Sequence, residues 1–272
     1  MAKRPTEEDD PVSEQEELPR GVRLVAAGEP AGCSGKANAI VAGMEAARHD
    51  RLVWSDDDFH YPPDWLATLS RDYDEHGPVS EVPCFVGQDS LSALLEPMYA
   101  SGGSMPIAVL DRIWGGAVIF ERGDIDEAAY LDELRRTVSD DALPMEHLEV
   151  KNVGRARIVP IGGSVREAVE RPVRWTKILR WHFPGAVAGT FLVALLVLVG
   201  AILAPFHAMV VLAVLHLAIN GFLGVRRWTA VLASPAVFVF VPLVLYGLAR
   251  RTFVWGGRRY HMRGTFDVTV VE

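Results

Sequence analysis

The sequence predicts an α/β domain in its first part and a membrane-spanning helical region in its second. Short apolar strands alternate with helical segments from about residue 21 to residue 134. Residues 183–225 then form a run of 43 residues without Asp, Glu, Lys or Arg. Charge follows the same division, because residues 1–170 carry 16 basic and 33 acidic side chains, whereas residues 171–272 carry 11 and 2. An acidic part joined to a basic, apolar part is typical of a soluble domain with a membrane anchor.

The composition of the 272-residue chain excludes several classes of protein. An apolar fraction of 50% and a mean hydropathy of +0.16 exclude a disordered or fibrous chain. The acidic first part would not displace counterions from phosphates, so no nucleic-acid partner is expected. Two cysteines, Cys33 and Cys84, cannot form a disulfide framework, which favours the reducing cytoplasm. The acid excess is also typical of proteins adapted to high salt.

The elements of the first part follow from short apolar runs separated by turn formers. Residues 1–20 are acidic and rich in proline, so we expect a disordered leader there. The predicted strands are 21–27, 51–55, 79–87 and 116–121, and the predicted helices begin at Lys36, Pro62, Ser90 and Asp124. The last helix is placed by Asp124 and Glu127, whose spacing resembles a capping box. Because strands alternate with helices, we expect a largely parallel sheet with helices on its faces.

Three segments of the second part are long and apolar enough to cross a bilayer, which needs about 20 residues per helix. We place them at 184–204, 207–225 and 229–249. Basic residues precede the first segment and follow the second, so both flanks, and the acidic domain with them, are expected in the cytoplasm. Arginines also follow the third segment, which conflicts with that rule, and its path remains open between a span and a re-entrant segment.

Three aspartates follow the strand 51–55 directly. Ligands of open α/β sheets bind at the carboxyl ends of strands, so this is a candidate site. Asp56 and Asp58 are two residues apart and suit a hard divalent cation that takes further oxygens from a diphosphate. A solvated acidic turn is the alternative interpretation of the same three residues.

Other polar or glycine-rich segments are less specific by themselves. Asp140 and Asp141 follow the last predicted helix and are typical of a loop at a helix end. Gly115-Gly116, after Trp114, would allow a ligand to approach the backbone, or would serve only to form a tight turn. Lys36 lies in a glycine-containing loop that lacks the first glycine and the Ser or Thr of a P-loop, so an ATPase is not expected.

Taken in order, these segments resemble the membrane-bound family 2 glycosyltransferases, and most closely their ceramide glucosyltransferase-like branch. The matching segments are GKANAIVAGMEAARHD, VWSDDDFHYPPDWL, WGGAVIFERGDID, the SDD at residues 139–141, and ERPVRWTKILR before the first span. The ending WGGRRY is also similar to the W-x-G-R-x-Y ending of this branch. The resemblance covers most of the chain, from about Val22 to the tail.

The resemblance implies a GT-A-like, Rossmann-like mixed sheet domain over residues 21–170. It also implies an interfacial helix at 171–183, ahead of the membrane segments at 184–249, and a basic tail at 250–272. Residues 1–20 do not match the strands that hold the nucleotide base in the family, so we expect a domain shortened at its N-terminus.

By position, the resemblance implies an inverting, metal-dependent enzyme that moves a sugar from a nucleotide-sugar donor to a membrane lipid. Asp56 and Asp58 would hold Mg²⁺ or Mn²⁺ with the donor diphosphate, and Asp141 would be the general base. Donor-side contacts would come from Lys36, Arg174 and Trp175, and acceptor-side contacts from Trp114, Gly115, Gly116 and Asp140. Arg171 occupies the glutamine position of the family's Q-x-x-R-W motif.

Two other functions remain as alternatives. A catalytically inactive, glycosyltransferase-like membrane protein that binds or scaffolds a partner is favoured by the shortened N-terminus. Retention of all the matching segments favours the enzyme. A small transporter is not expected, because the three predicted spans contain no acidic residue.

Overall fold

A four-stranded mixed sheet forms the centre of the α/β part. The computed structural model describes residues 20–56 and 60–271. The strands are β1 (Arg51–Ser55), β2 (Val79–Gly87), β3 (Ala117–Glu121) and β4 (Lys151–Ile161), in the order β1-β3-β2-β4. Strand β3 is antiparallel to both of its neighbours, and β2 is parallel to β4. The mixed sheet confirms the predicted fold class.

The largely parallel sheet inferred from the alternation of strands and helices is therefore wrong. The chain between β2 and β3 forms helices but enters β3 from the side of the sheet where β2 ends, so β3 runs in the opposite direction. Two neighbouring parallel strands require a connection that returns the chain to the end of the sheet where the first strand began. The long connection between β2 and β4 does so.

Among residues 20–56 and 60–161, six helices flank the sheet. They are α1 (Gly35–Ala46), α2 (Trp65–His76), α3 (Ser90–Tyr99), α4 (Met105–Val109), α5 (Glu127–Leu134) and α6 (Pro144–His147). Alternate residues of β3 point to opposite faces, as the period of two requires. Val118 and Phe120 pack on the side of α1 and α5, whereas Ala117 and Ile119 pack on the side of α2 and α3.

Two sequence predictions for this part are corrected by the structure. Residues 22–30 contain no regular strand, because the described residues provide no neighbouring strand that pairs with them, and Val22 and Leu24 are each 52% exposed. The cap of α5 is Asp126, whose carboxylate accepts a hydrogen bond from the Ala129 N–H at 3.2 Å. Asp124 instead ends a preceding 3₁₀ turn, where its carboxylate accepts a hydrogen bond from the Glu121 N–H at 2.7 Å.

Three apolar helices of the described residues follow and support an association of the protein with a membrane. They are α8 (Pro184–Leu203), α9 (Pro205–Phe222) and α10 (Ala233–Ala249), the last preceded by a 3₁₀ turn at Trp228–Leu232. With that turn, the third segment is 22 residues long, and all three are long and apolar enough to cross a membrane. Many of their apolar side chains face outward, among them Leu203, which is 79% exposed.

An amphipathic helix and a small sheet connect the membrane helices to the α/β part. Helix α7 (Val165–His182) begins after Ser164, which forms a capping box with Glu167. After α10 the chain forms an antiparallel sheet of β5 (Thr252–Trp255), β6 (Arg258–Met262) and β7 (Val268–Val271). The apolar face of this tail sheet packs on α7.

Candidate active site

Asp56 lies at the carboxyl end of β1, beside the first residues of β3. Its backbone N–H donates a hydrogen bond to the Gly116 carbonyl at 3.3 Å. The Tyr61 hydroxyl donates to the carbonyls of both Asp56 and Gly116, at 3.0 and 2.7 Å. A Cβ atom at position 116 would lie 2.6 Å from Asp56 Oδ2 and would overlap the Trp114 ring. A glycine is therefore needed for the Asp56 carboxylate to reach this position.

Gly115 brings the second pair of acids to the same place. Its backbone N–H donates a hydrogen bond to Asp141 Oδ1 at 2.7 Å. A Cβ atom at position 115 would overlap the Asp141 carboxylate and would lie 2.6 Å from Asp140 Oδ2. The two adjacent glycines thus allow the carboxylates of Asp56, Asp140 and Asp141 to converge on one short stretch of backbone, although Asp56 lies far in sequence from the Asp140-Asp141 pair.

Lys36 supplies a positive charge between these carboxylates. Its ammonium group forms an ion pair with Asp56 Oδ1, and its Nζ atom lies 2.7 Å from Asp140 Oδ2. Lys36 belongs to the first turn of α1, whose N-cap is Ser34, and the Ser34 hydroxyl accepts a hydrogen bond from the Ala37 N–H at 3.0 Å. Although burial opposes the charged form, Asp140, Asp141 and Asp56 together raise the pKa of Lys36 above its usual range.

The acidity of Asp141 is strongly perturbed by its surroundings. Burial and the charge of the adjacent Asp140 raise its pKa to about 8, while Lys36 and the Gly115 N–H oppose the shift. A carboxylate with a raised pKa binds a proton near neutral pH and releases it again readily. This is the property required of a general base.

Arg174 and Trp175 are neighbours in sequence but have different surroundings. The Arg174 guanidinium lies over the Trp255 ring, 4.6 Å from its centroid. Burial and the neighbouring Arg171 lower the pKa of Arg174 to about 10, while the three aspartates oppose the shift, so the group remains charged at neutral pH and acts on the acids. The Trp175 ring packs instead against Tyr99 and Phe85, at 5.0 and 5.2 Å between ring centroids.

The comparison with protein families decides the class of the protein. Residues 14–265 match the family described as glycosyl transferase family 21. The chain belongs to this family. The match confirms the predicted relationship to ceramide glucosyltransferase-like enzymes and supports a transferase that acts on a sugar. No curated protein and no solved structure matches the chain.

In this glycosyl transferase family 21 protein, Asp56 is the one member of the expected pair of metal ligands that lies among the described residues. Mg²⁺ is commonly held by one or two carboxylates, with waters and phosphate oxygens as the other ligands. Asp56 and Asp140 already face one positive charge, that of Lys36. Asp58, the other metal ligand expected from the sequence, lies outside the described residues, and within them no three acidic, His or Cys side chains form a group that could hold a metal.

The structure brings most of the sequence-predicted site residues together. Asp56, Asp140, Asp141, Lys36, Gly115 and Gly116 form one cluster, and Trp114 borders it through its ring next to Gly116. Arg174 acts on this cluster through its charge, whereas Trp175 belongs to a neighbouring aromatic group. Tyr61 has no role in the sequence analysis, and its position five residues after Asp56 is the only signal that could have indicated one.

Proposed function

We propose that the protein is an inverting glycosyltransferase that moves a sugar from a nucleotide-sugar donor to a hydroxyl group of a membrane lipid. The observation that carries the proposal is the convergence of Asp56, Asp140 and Asp141 around Lys36. Family membership supports the transfer of a sugar. The three apolar helices support an acceptor that stays in the bilayer.

In this proposal, Asp141 removes the proton from the acceptor hydroxyl while the hydroxyl oxygen attacks the anomeric carbon of the donor sugar. The bond between that carbon and the diphosphate oxygen breaks on the opposite face, so the configuration at the anomeric carbon is inverted. The nucleoside diphosphate leaves with the bonding electron pair. The proton stays on Asp141 until it passes to solvent, and its raised pKa suits this temporary protonation.

The leaving diphosphate gains negative charge as the bond breaks, and fixed positive groups lower the energy of that state. Lys36 and Arg174 are the cations that act on the acidic cluster. A divalent cation held by Asp56 and Asp58 would, when bound, supply further positive charge at the diphosphate.

The lipid acceptor is supported by the way the site joins the membrane helices. Trp175, next to Arg174, shares an apolar cluster with Val239 and Leu243 of α10. Gly247 of α10 lies against Thr176, because an added Cβ would be 3.1 Å from the Thr176 Cβ. A lipid beside α10 would therefore lie next to the helix that carries Arg174.

The direct test is to incubate membranes containing the protein with a panel of labelled nucleotide sugars and to follow the label into the lipid extract. We expect one or a few donors to label a lipid, and we expect a chelator of divalent metals to stop the labelling. Labelling that persists in excess chelator would contradict the metal dependence. If no donor labels any lipid, the transferase proposal is wrong and the inactive, partner-binding alternative is favoured.

A further inference from the structure

The C-terminal tail sheet is built into the same core as the acid-bearing loop. Phe253, Tyr260 and Met262 of this sheet pack with Val138 and Ala142 in one buried cluster. Val138 and Ala142 flank the Asp140-Asp141 pair on both sides. The tail sheet therefore packs directly against the loop that carries two acids of the candidate active site.

Tyr260 makes a direct hydrogen bond to the loop that carries Lys36. Its hydroxyl oxygen accepts the Gly35 N–H at 3.2 Å, and the Tyr260 side chain is almost completely buried against Phe253. Gly35 is the first residue of α1, and its N–H has no partner within the helix. The Ser34 cap satisfies the Ala37 N–H instead, so the tail completes the start of α1.

A second residue of the tail also comes close to the glycine at position 35. A Cβ atom there would lie 2.9 Å from Arg258 Nη1. The other end of the Arg258 fork forms an ion pair with Glu29 at 3.1 Å, which fixes the guanidinium over the start of α1. Strand β6 thus contacts the residue directly before Lys36 through two of its side chains.

Trp255, on the adjacent strand β5, contacts the second cation of the site. The Arg174 guanidinium lies 4.6 Å from the centroid of the Trp255 ring. The preceding residue is fixed to α7, since the Val254 N–H donates a hydrogen bond to Glu170 at 3.2 Å. The ring is therefore held at the helix that carries Arg174.

We propose that the hairpin of β5 and β6 positions the two cations of the site for the donor diphosphate, with Tyr260 acting through the Gly35 backbone on Lys36 and Trp255 acting directly on Arg174. This inference rests on the proposed function. It assigns positioning roles to two tail residues that do not contact the reacting atoms. Preorganised charge stabilises a leaving diphosphate more than mobile charge does. A hairpin that moves more freely would therefore lower the donor kcat/KM and leave the KM for the acceptor unchanged.

The test uses the full-length protein with Tyr260→Phe, which keeps the buried ring and removes the acceptor of the Gly35 N–H. We expect hydrogen exchange at the Gly35 amide to accelerate roughly tenfold, as for the loss of one hydrogen bond. We also expect the donor kcat/KM to fall by about the same factor, with the KM for the lipid acceptor unchanged. Tyr73→Phe is the matched control, because it also removes a side-chain hydrogen bond, to Asp124 at 2.9 Å, at the end of β3 opposite to Gly116.

A second pair of variants tests Trp255 without depending on one substitution. We expect Trp255→Leu to raise the donor KM several-fold, whereas Trp255→Phe, which retains an aromatic face for Arg174, restores most of the loss. Trp228→Leu serves as the control, since Trp228 is 66% exposed and lies at the start of the third membrane segment.

Three results would overturn the inference. The first is unchanged Gly35 exchange in Tyr260→Phe, and the second is faster exchange with unchanged donor kinetics. The third is an equal effect on donor and acceptor together with a lower melting temperature, which indicates only a structural role. If the wild-type protein transfers no sugar, the proposed function fails. The positioning role is then tested separately, by hydrogen exchange at the Gly35 amide and by the affinity of each variant for the nucleotide sugar.

Discussion

Two adjacent glycines set the distances among the acids of the site. Gly115 donates its N–H to Asp141, and Gly116 leaves room for the Asp56 carboxylate. Any side chain at either position would have to push a carboxylate or the Trp114 ring aside. At the scale of single residues, the site therefore depends on the absence of two methyl groups as much as on the acids themselves.

Gly115→Ala is expected to lower kcat by at least about tenfold, because the added Cβ would displace the carboxylates of Asp140 and Asp141 from their positions around Lys36. The measurement is the rate of sugar transfer by purified protein, with the melting temperature recorded in parallel. Gly123→Ala is the control, because an added Cβ at position 123 meets no atom within 4 Å. Equal rates for the two variants would show that the close approach at Gly115 has no functional importance.

The raised pKa of Asp141 predicts the pH dependence of the reaction. A general base works only when deprotonated, so kcat/KM is expected to rise with pH and to level off above the pKa of about 8. Removal of the Lys36 charge by Lys36→Met would raise the pKa of Asp141 further and shift this limb to higher pH. A profile that is flat between about pH 6 and 9 would contradict the assignment of Asp141 as the base.

At the scale of elements, the predictions from the sequence were most accurate where a short apolar run also has a neighbouring element to pair with or pack against. Strands β1 and β2 have the predicted bounds, and helix α3 begins at the predicted residue, Ser90. The run 21–27 has the same apolar character but forms no strand, since a strand needs a pairing neighbour that a local pattern does not reveal. The three tail strands were also missed, because they pair only with one another after the membrane helices, and a local pattern does not reveal that pairing.

The candidate site was predictable to a similar extent. The acids were found because they follow a strand and a helix in an order that resembles a known family. The contacts of Tyr61 and Tyr260 were not predictable, because each joins residues that are brought together only by the fold. Asp126 shows the same limit within one helix, since Asp124 and Asp126 both precede α5 and only the backbone geometry decides which one caps it.

The corrected cap gives a prediction for α5. Asp126→Ala is expected to lower the free energy of unfolding by about 1 kcal/mol, because the Ala129 N–H loses its acceptor. The change is measured as a shift of the thermal melting temperature. Asp132→Ala is the matched control, since the Asp132 side chain is 70% exposed and pairs only with Arg136 on the surface. An equal shift in both variants would mean that the cap contributes no more to the free energy of unfolding than the surface pair of Asp132 with Arg136.

At the scale of the whole molecule, a buried charged group joins the membrane helices to the α/β part. Glu96 of α3 is 4% exposed and accepts hydrogen bonds from Arg227 at 2.9 and 3.0 Å, just before the third membrane segment. The Gly87 N–H, at the end of β2, donates to the same carboxylate at 3.0 Å. Nearby, His216 of α9 contacts the Pro97 carbonyl at 3.0 Å. The sheet and the membrane helices are thus held in register by polar contacts.

This connection predicts a large effect on stability. Glu96→Ala is expected to destabilise the protein by about 3–5 kcal/mol, because Arg227 and the Gly87 N–H lose their buried partner. The double variant Glu96→Ala with Arg227→Met removes the uncompensated charge and is expected to recover part of the loss. Melting temperatures of the two variants in the same detergent provide the comparison. A single variant as stable as the wild type would show that the pair does not couple the two parts.

The proposed function depends on Asp141 acting as the base of a sugar transfer at the membrane. The most direct measurement compares purified wild-type and Asp141→Asn protein in the transfer of a labelled sugar to lipid, with Asp126→Asn as a control for the loss of one exposed carboxylate. We predict that Asp141→Asn loses at least about 99% of the transfer rate and melts at the same or a higher temperature, because a neutral amide of the same shape replaces the carboxyl group beside Asp140. Wild-type rates of transfer in Asp141→Asn would contradict the claim.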